Sequence, residues 1–331
     1  MKIGIIGGGS WGTTLAQALT DNNNEVLIRD INEDFVKKIN ETHLHPFFNK
    51  PIPETIKATT SLEEIANYST HLVLCVPTKF MRGVLKELYS AVSEKKVLIN
   101  VSKGIEPDTS YLISQIVEQE MKDKVKDYVV LSGPSHAEEM IDRKFTCLVS
   151  ASANPDAAKE VQLIFSNDKY LRVYTSNDVV GVETGGAIKN AIAVVSGIAT
   201  GLGFGENARA ALITRGIRET IKVVEILGGK TETAYGLSGI GDLIVTASSM
   251  NSRNFQAGLR IGQGEDYLYV LKTSAQTVEG IRTIEAAHII GQNYHVELPL
   301  IDLAYSLLFE GLNVKETLNT LLSRELKDEN N

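Results

Sequence analysis

The 331-residue sequence predicts an α/β N-terminal domain built on a mainly parallel sheet, followed by an all-α C-terminal domain. Three observations carry that expectation. Up to about residue 174, short β-type runs alternate with helical patterns, the signature of βαβ units. A glycine-rich turn, Gly7-Gly8-Gly9-Ser10-Trp11-Gly12, stands between the first strand candidate and the first helix. Beyond Asn177, apolar residues recur at helical spacing with no convincing strand between them.

In chain order, the strand candidates are residues 2–6, 26–29, 72–76, 97–101, 128–131, 146–150 and 171–174. Helical patterns separate them at 13–20, where Leu15, Ala18 and Leu19 recur, and at 79–89, 111–117 and 156–165. The second half carries helical patterns at 179–200, 208–227, 242–248, 280–290 and 300–309. The boundary falls near 177–187, where Asn177-Asp178 can cap a helix, giving domains 1–182 and 183–331. No fixed-period repeat is present, and the charged tail Lys327-Asp328-Glu329-Asn330-Asn331 is the one biased tract.

Composition narrows the function. The chain carries 33 Lys plus Arg against 41 Asp plus Glu, a net charge of −8. A nucleic-acid binder needs a dense basic surface, so this balance excludes one and leaves local basic pockets for small phosphates. Cys75 and Cys147 lie in apolar runs and read as small core residues, not as a disulfide framework. The N-terminus runs straight into the glycines without a leader pattern, and no apolar stretch of ~20 residues is free of charges or turn signals. These features lead us to expect a cytoplasmic protein with no integral membrane segment.

Gly7-Gly8-Gly9-Ser10-Trp11-Gly12 fits G-x-G-x-x-G in the context that gives the motif meaning, between a strand and a helix. Gly7 permits the tight turn, Gly9 lets backbone approach a pyrophosphate, and Gly12 lets the helix pack on the strand. The sequence thus predicts an α/β Rossmann-like N-terminal domain that binds a dinucleotide. After the second strand, Arg29-Asp30 gives mixed advice: Asp30 can accept from a free 2′-hydroxyl, favouring NAD, whereas Arg29 can pair with a 2′-phosphate, favouring NADP. A surface ion pair at the strand end is the third alternative.

Two lysines stand where lysines are costly or exposed to ligand. Residues 184–199 form a helix without a polar face whose one cation is Lys189. Burying an ammonium costs several kcal/mol unless it is paired or its pKa falls, and the second outcome makes a general acid/base. The alternative is a lysine that snorkels along its alkyl stem. The neighbouring Gly185-Gly186 pair lets a cofactor or another backbone come close. Lys103 follows a strand in the turn Ser102-Lys103-Gly104, at the carboxyl edge of the sheet where ligands sit.

The loop 132–138 follows the next strand at the same edge, and its His136 reads as a base or as a hydrogen-bonded loop histidine. Ser252-Arg253-Asn254 offers a hydroxyl, a guanidinium and a helix start, either a phosphate site or an ordinary cap. Asp242 reads as a cap or as a partner that orients Lys189. The six histidines show no spacing for a metal, and no Ser-His-Asp arrangement is evident. Hydride transfer to or from a nicotinamide needs neither.

Seven ordered motifs now stand together: Gly7-x-Gly9-Ser10-Trp11-Gly12-Thr13, Val101-Ser102-Lys103-Gly104-Ile105, residues 131–139, Gly185-Gly186-Ala187-Ile188-Lys189-Asn190, residues 207–216, Gly241-Asp242-Leu243 and Ser252-Arg253-Asn254. From Lys2 to about Leu322 the chain closely resembles the soluble NAD(P)-dependent glycerol-3-phosphate dehydrogenases of bacterial type. The resemblance implies reversible reduction of dihydroxyacetone phosphate to sn-glycerol 3-phosphate with NAD(P)H, supplying phospholipid synthesis. It also implies a cleft between the two domains and a homodimer.

Carried over residue by residue, the resemblance makes Lys189 the proton acceptor in the oxidation direction, with Lys103 and Asp242 beside it. Lys103, Gly133, Ser135 and Asn190 become substrate contacts, together with Asp242, Ser252, Arg253 and Asn254. Ser10, Trp11, Lys103, Ala137, Arg253 and Glu279 reach the cofactor, and Phe80 resembles the family aromatic beside it. Arg29-Asp30-Ile31-Asn32 departs from the aromatic and small residue that many relatives carry there, so the usual adenosine contacts do not transfer. Gly8, where alanine is common, is expected to be harmless because the position contributes mainly backbone.

Two other readings compete. A β-hydroxyacid dehydrogenase-type enzyme shares the two-domain plan and a Lys-Asn pair, but lacks the Ser252-Arg253-Asn254 cluster and the 132–139 loop. A non-catalytic dinucleotide sensor needs the glycine motif but no buried Lys189. The glycine clusters themselves read as places where backbone approaches ligand.

Overall fold

The computed structural model describes residues 1–106, 108–274, 277–312 and 329. Lys327, Asp328, Asn330 and Asn331 of the charged tail lie outside the described residues. The strands are β1 (Lys2–Ile6), β2 (Glu25–Arg29), β3 (Lys57–Thr59), β4 (His71–Leu74), β5 (Lys96–Asn100), β6 (Val125–Ser132), β7 (Thr146–Ala151) and β8 (Leu171–Ser176). They form one sheet in the order β3-β2-β1-β4-β5-β6-β7-β8, parallel throughout except between β6 and β7. From β1 the chain moves outward through β2 to β3, then returns to place β4 on the other side of β1. That reversal opens a crevice at the carboxyl ends of β1 and β4, the position where open α/β sheets bind ligands.

Helices α1 (Ser10–Asp21), α2 (Glu33–Lys37), α3 (Leu62–Tyr68), α4 (Thr78–Ala91), α5 (Ile113–Met121), α6 (Ala137–Met140) and α7 (Pro155–Phe165) connect the strands. Because side chains alternate along a strand, the sheet feeds two cores. Ile3, Ile5, Val73 and Ile99 pack with Leu15 and Leu19 of α1 and with Val161 and Phe165 of α7. Ile6, Leu72, Leu74 and Leu98 pack on the opposite face with Leu85 of α4 and Ile116 of α5. Burial on both faces is why these strands read as continuous apolar runs. Truncating a fully buried aromatic such as Phe165 to alanine costs about 3–5 kcal/mol.

The second half is helical: α8 (Val179–Gly201), α9 (Glu206–Ile226), α10 (Thr231–Ala234), α11 (Asp242–Ser248), α12 (Arg253–Gly262), α13 (Tyr267–Thr273), α14 (Glu279–Tyr294) and α15 (Pro299–Phe309). Asp178 caps α8, its carboxylate accepting from Gly181 N–H at 2.9 Å, Lys230 N–H at 2.8 Å and Thr233 Oγ1 at 2.6 Å. Among the described residues, α8 is the one helix long and apolar enough to cross a bilayer by length and composition, but 83% of its apolar window is buried inside the protein. It forms the axis of the helical half.

Glycines of the helical half serve that packing. A Cβ at Gly197 would lie 2.1 Å from Phe255 O, and one at Gly258 would lie 2.1 Å from Val194 O, so α8 and α12 cross backbone to backbone. The neighbour of Gly185 is likewise backbone, with Ser238 O 3.2 Å from an added Cβ.

The elements differ from expectation where side-chain pattern is weak. β3 has three residues at the sheet edge, two of them polar, and carries no readable alternation. The polar, glycine-containing α12 hides its buried face of Phe255, Ala257 and Ile261. The helix expected over 111–117 starts later, at Ile113, because Tyr111 pairs with Glu106 in an isolated bridge. Helix α1 starts at Ser10, inside the glycine motif, with Gly9 as its N-cap.

Candidate active site

The site starts at the end of β1. Gly7 has φ +113°, and a Cβ there would sit 2.2 Å from Cys75 O, so the turn admits glycine alone. A Cβ at Gly12 would fall 1.9 Å from Gly7 O, which fixes how closely α1 approaches the strand. At Gly9 an added Cβ would meet no protein atom within 4 Å. Packing therefore does not demand Gly9. The open space above it, at the N-terminal end of a twelve-residue helix, fits a dinucleotide's pyrophosphate.

Behind this loop sits His45. It is fully buried, and burial pulls its pKa down to about 4, so the ring is neutral. Its Nδ1 accepts from the N–H groups of Phe47 and Phe48 at 3.2 Å each, which leaves Nε2 to donate to Ser10 O at 3.0 Å. His45 thereby ties the loop carrying Phe47 to the start of α1. Among the described residues no group of His, Cys, Asp or Glu is arranged to hold a metal.

The next contributor is the turn after β5. Asn100 grips its backbone, accepting from Ser102 N–H at 3.0 Å and donating to Ser102 O at 3.2 Å. Lys103 then projects from the sheet edge and donates to Asp242 Oδ2 at 2.7 Å and Gly133 O at 3.0 Å. After β6, Gly133 takes φ +147° and Ser135 Oγ donates to its carbonyl at 2.9 Å. His136 Nε2 lies 3.2 Å from Val245 O, the hydrogen-bonded loop histidine of the two alternatives.

From the helical half, α8 brings Lys189, whose ammonium donates to Asp242 Oδ1 at 2.7 Å and Thr246 Oγ1 at 2.8 Å. Asp242 thus bridges two lysines that come from different halves of the chain. Burial would push its carboxyl up, but the two ammonium groups outweigh that and hold it below the usual range. Burial pulls Lys189 down to about 8, with Asp242 opposing the shift and Lys103 and Arg253 adding to it. A lysine near 8 reaches both protonation states close to neutral pH.

Helix α12 supplies the remaining cation. Ser252 caps it, accepting from Phe255 N–H at 3.2 Å, and Arg253 opens to the cleft in its first turn. Asn254 accepts from Gly280 N–H at 2.9 Å and donates to Asn190 Oδ1 at 2.9 Å. Asn190 in turn donates to Lys103 O at 3.4 Å, so the two amides brace the site from within. Glu279, at the start of α14, accepts from Thr78 N–H at 3.0 Å and joins α14 to α4.

These groups surround a cavity of about 560 Å³. Among the described residues, Lys79, Lys103, Lys189, Arg253 and Arg282 line it against Glu138 and Glu279, a local positive excess in a chain of charge −8. Gly9, Ser10, Trp11, Ser135, Ala137 and Asn190 also reach its wall. Asp242 stands behind the two lysines, outside the lining; Phe80, Arg29 and Asp30 are also not among the lining residues. Phe80 is 52% exposed, with Lys79 over its ring at 4.4 Å. Phe47 and Arg282, not expected from the sequence, also line the cavity; a Phe pair in a Pro-flanked loop is the one signal for Phe47.

Comparison with known proteins identifies the family. The family description "NAD-dependent glycerol-3-phosphate dehydrogenase N-terminus" matches residues 2–158, and the corresponding C-terminus description matches 178–319. A glycerol-3-phosphate dehydrogenase [NAD(P)+] of Acholeplasma laidlawii is 56% identical over 330 residues, 99% of each chain. One from Bacillus cereus is 46% identical over 331 residues, 99% of this chain and 97% of its own. The crystal structure of glycerol-3-phosphate dehydrogenase from Coxiella burnetii superposes with a TM-score of 0.91 at 33% identity, covering 98% of this chain and 99% of that one. With both halves matched and relatives aligned end to end, the chain belongs to the NAD-dependent glycerol-3-phosphate dehydrogenase family.

Proposed function

We propose that the chain interconverts dihydroxyacetone phosphate and sn-glycerol 3-phosphate with NAD(P)H, Lys189 acting as the acid and base. The observation that carries this reading is Asp242 held between Lys189 and Lys103, 2.7 Å from each, beside a cavity that also touches the glycine loop. When bound, the nicotinamide supplies or accepts the hydride. Lys189, as an ammonium, donates its proton to the substrate oxygen as the carbonyl becomes an alkoxide; in reverse the neutral amine takes the hydroxyl proton. Lys103 adds positive charge where that oxygen becomes negative.

Asp242 keeps its charge and holds both ammonium groups in place. Arg253 and the N-terminal N–H groups of α12 hold the substrate phosphate, which orients the reacting carbon and disfavours unphosphorylated analogues. Ser135 and Gly133, beside Lys103, complete the substrate's surroundings, and Ser252 fixes the start of α12. Asn190 and Asn254 act mainly by bracing Lys103 and α14. Gly7, Gly9, Gly12, Ser10, Trp11 and Ala137 would hold the dinucleotide, with Glu279 and Phe80 beside it.

The wider setting is a homodimer supplying phospholipid synthesis, on the family resemblance, and a cytoplasmic chain with domains dividing at 182/183, on the sequence patterning. Light scattering on the purified chain is expected to give twice 36.1 kDa, and a monomer mass contradicts the dimer. The direct assay follows the absorbance of the reduced nicotinamide with dihydroxyacetone phosphate added. Oxidation of neither NADH nor NADPH would sink the enzymatic reading.

A further inference from the structure

The relatives' names leave both nicotinamide cofactors open, and Arg29-Asp30 leaves the question open in the sequence; the side-chain geometry does not. Asp30 follows the last residue of β2 and returns its carboxylate to the glycine loop, where Oδ2 accepts from Gly8 N–H at 2.6 Å. Its other oxygen accepts from Asn32 N–H at 2.9 Å. Both oxygens are thus pinned beside the turn that fits the dinucleotide. Gly8 belongs to the same arrangement. A Cβ there would lie 3.2 Å from Asp30 Oδ2 and 3.1 Å from Ile28 Cγ2, so the position is tighter than a purely backbone role predicts.

Arg29 faces the other way. Its Nε donates to Thr60 O at 3.3 Å, next to β3, and β3 pairs with β2 on the side remote from β1 and the glycine loop. The five residues that follow Arg29 supply no cation: residues 30–34 read Asp-Ile-Asn-Glu-Asp, with Ile31 77% exposed and Glu33 and Asp34 in the first turn of α2. A 2′-phosphate would enter an acidic segment with its one guanidinium turned aside, whereas a 2′-hydroxyl would find a fixed carboxylate with acceptor capacity to spare.

We infer that Asp30 is the residue that selects the cofactor, and that this chain uses NADH in preference to NADPH. The inference rests on the dehydrogenase reading for its chemistry and on the Asp30 geometry for its direction. Two readouts test it together: dissociation constants for NADH and NADPH from quenching of the Trp11 fluorescence or calorimetry, and kcat/KM with each cofactor. We expect NADH to bind at least tenfold more tightly and to be favoured at least tenfold in kcat/KM.

Asp30→Asn removes the charge and keeps an acceptor for Gly8, and should reduce that ratio at least fivefold. Asp30→Gly combined with Ile31→Arg should bring it to unity or below. Because the ratio is taken within one variant, a general loss of loop order cancels. NADPH used as well as NADH by the unaltered protein, or a ratio unmoved by both variants, overturns the inference while leaving the dehydrogenase reading intact. Selective NADH binding without turnover of dihydroxyacetone phosphate does the reverse.

Discussion

Six residues apart on α8, two buried charges meet different surroundings. The Glu183 carboxylate is closed in by the N-terminal half: it accepts from Ser114 N–H at 3.1 Å, from the Ser114 hydroxyl, from Tyr128 OH and from Asn100 Nδ2 at 3.3 Å. Lys189 is as deeply placed, but among the described residues Asp242 and Thr246 engage two of its three donors, and it lines the cavity. Burial moves both pKa values, raising Glu183 and lowering Lys189. Burial and a displaced pKa therefore do not distinguish a structural charge from a reactive one. Access to a cavity and an unspent hydrogen-bonding site do.

Three substitutions test that contrast. The largest effect belongs to Lys189→Ala, for which we expect kcat to fall about 10²–10⁴-fold while NADH affinity stays nearly constant in a fluorescence titration. Turnover within tenfold of normal would remove the distinction between the two charges. Arg253→Ala comes next, with KM for dihydroxyacetone phosphate rising about 10- to 100-fold from the loss of charge-assisted hydrogen bonds. An unchanged KM puts the phosphate elsewhere in the cavity.

Glu183→Leu is the smallest in activity and is read in stability. Tyr128 and Asn100 lose a shared partner in a buried position, so urea unfolding should show a loss of about 1–3 kcal/mol. Turnover per folded molecule should stay within a few fold. A fall as deep as that of Lys189→Ala would mean that Glu183, through Asn100 and the backbone before Lys103, is part of the reacting machinery.

What the sequence reveals follows the range of the interaction that creates each feature. The glycine turn, the Lys103 position and the lone cation of α8 are local facts, read from a strand end or from the 3.6-residue period, and the structure puts all three at one cavity. Asp242 is different. Its two partners lie 139 and 53 residues away in the chain, so nothing near Gly241-Asp242 announces that it bridges both lysines. Glu183 escapes for the same reason, since an apolar stretch begun at Thr184 stops one residue short of it and its partners come from β5, α5 and β6. Glycine composition alone does not separate the two uses: Gly7 shapes a turn, whereas Gly197 of α8 and Gly258 of α12 serve a helix crossing.

The claim that Lys189 carries the proton is tested most directly by its pH dependence in both directions, from single-turnover rates with the preferred nicotinamide. Oxidation of glycerol 3-phosphate needs the neutral amine, and reduction of dihydroxyacetone phosphate needs the ammonium. With Lys189 near 8, the oxidation rate should rise and the reduction rate should fall through the same midpoint, about pH 8. Both midpoints should vanish in Lys189→Ala. Rates that move in the same direction, or a midpoint that survives the substitution, would contradict the account.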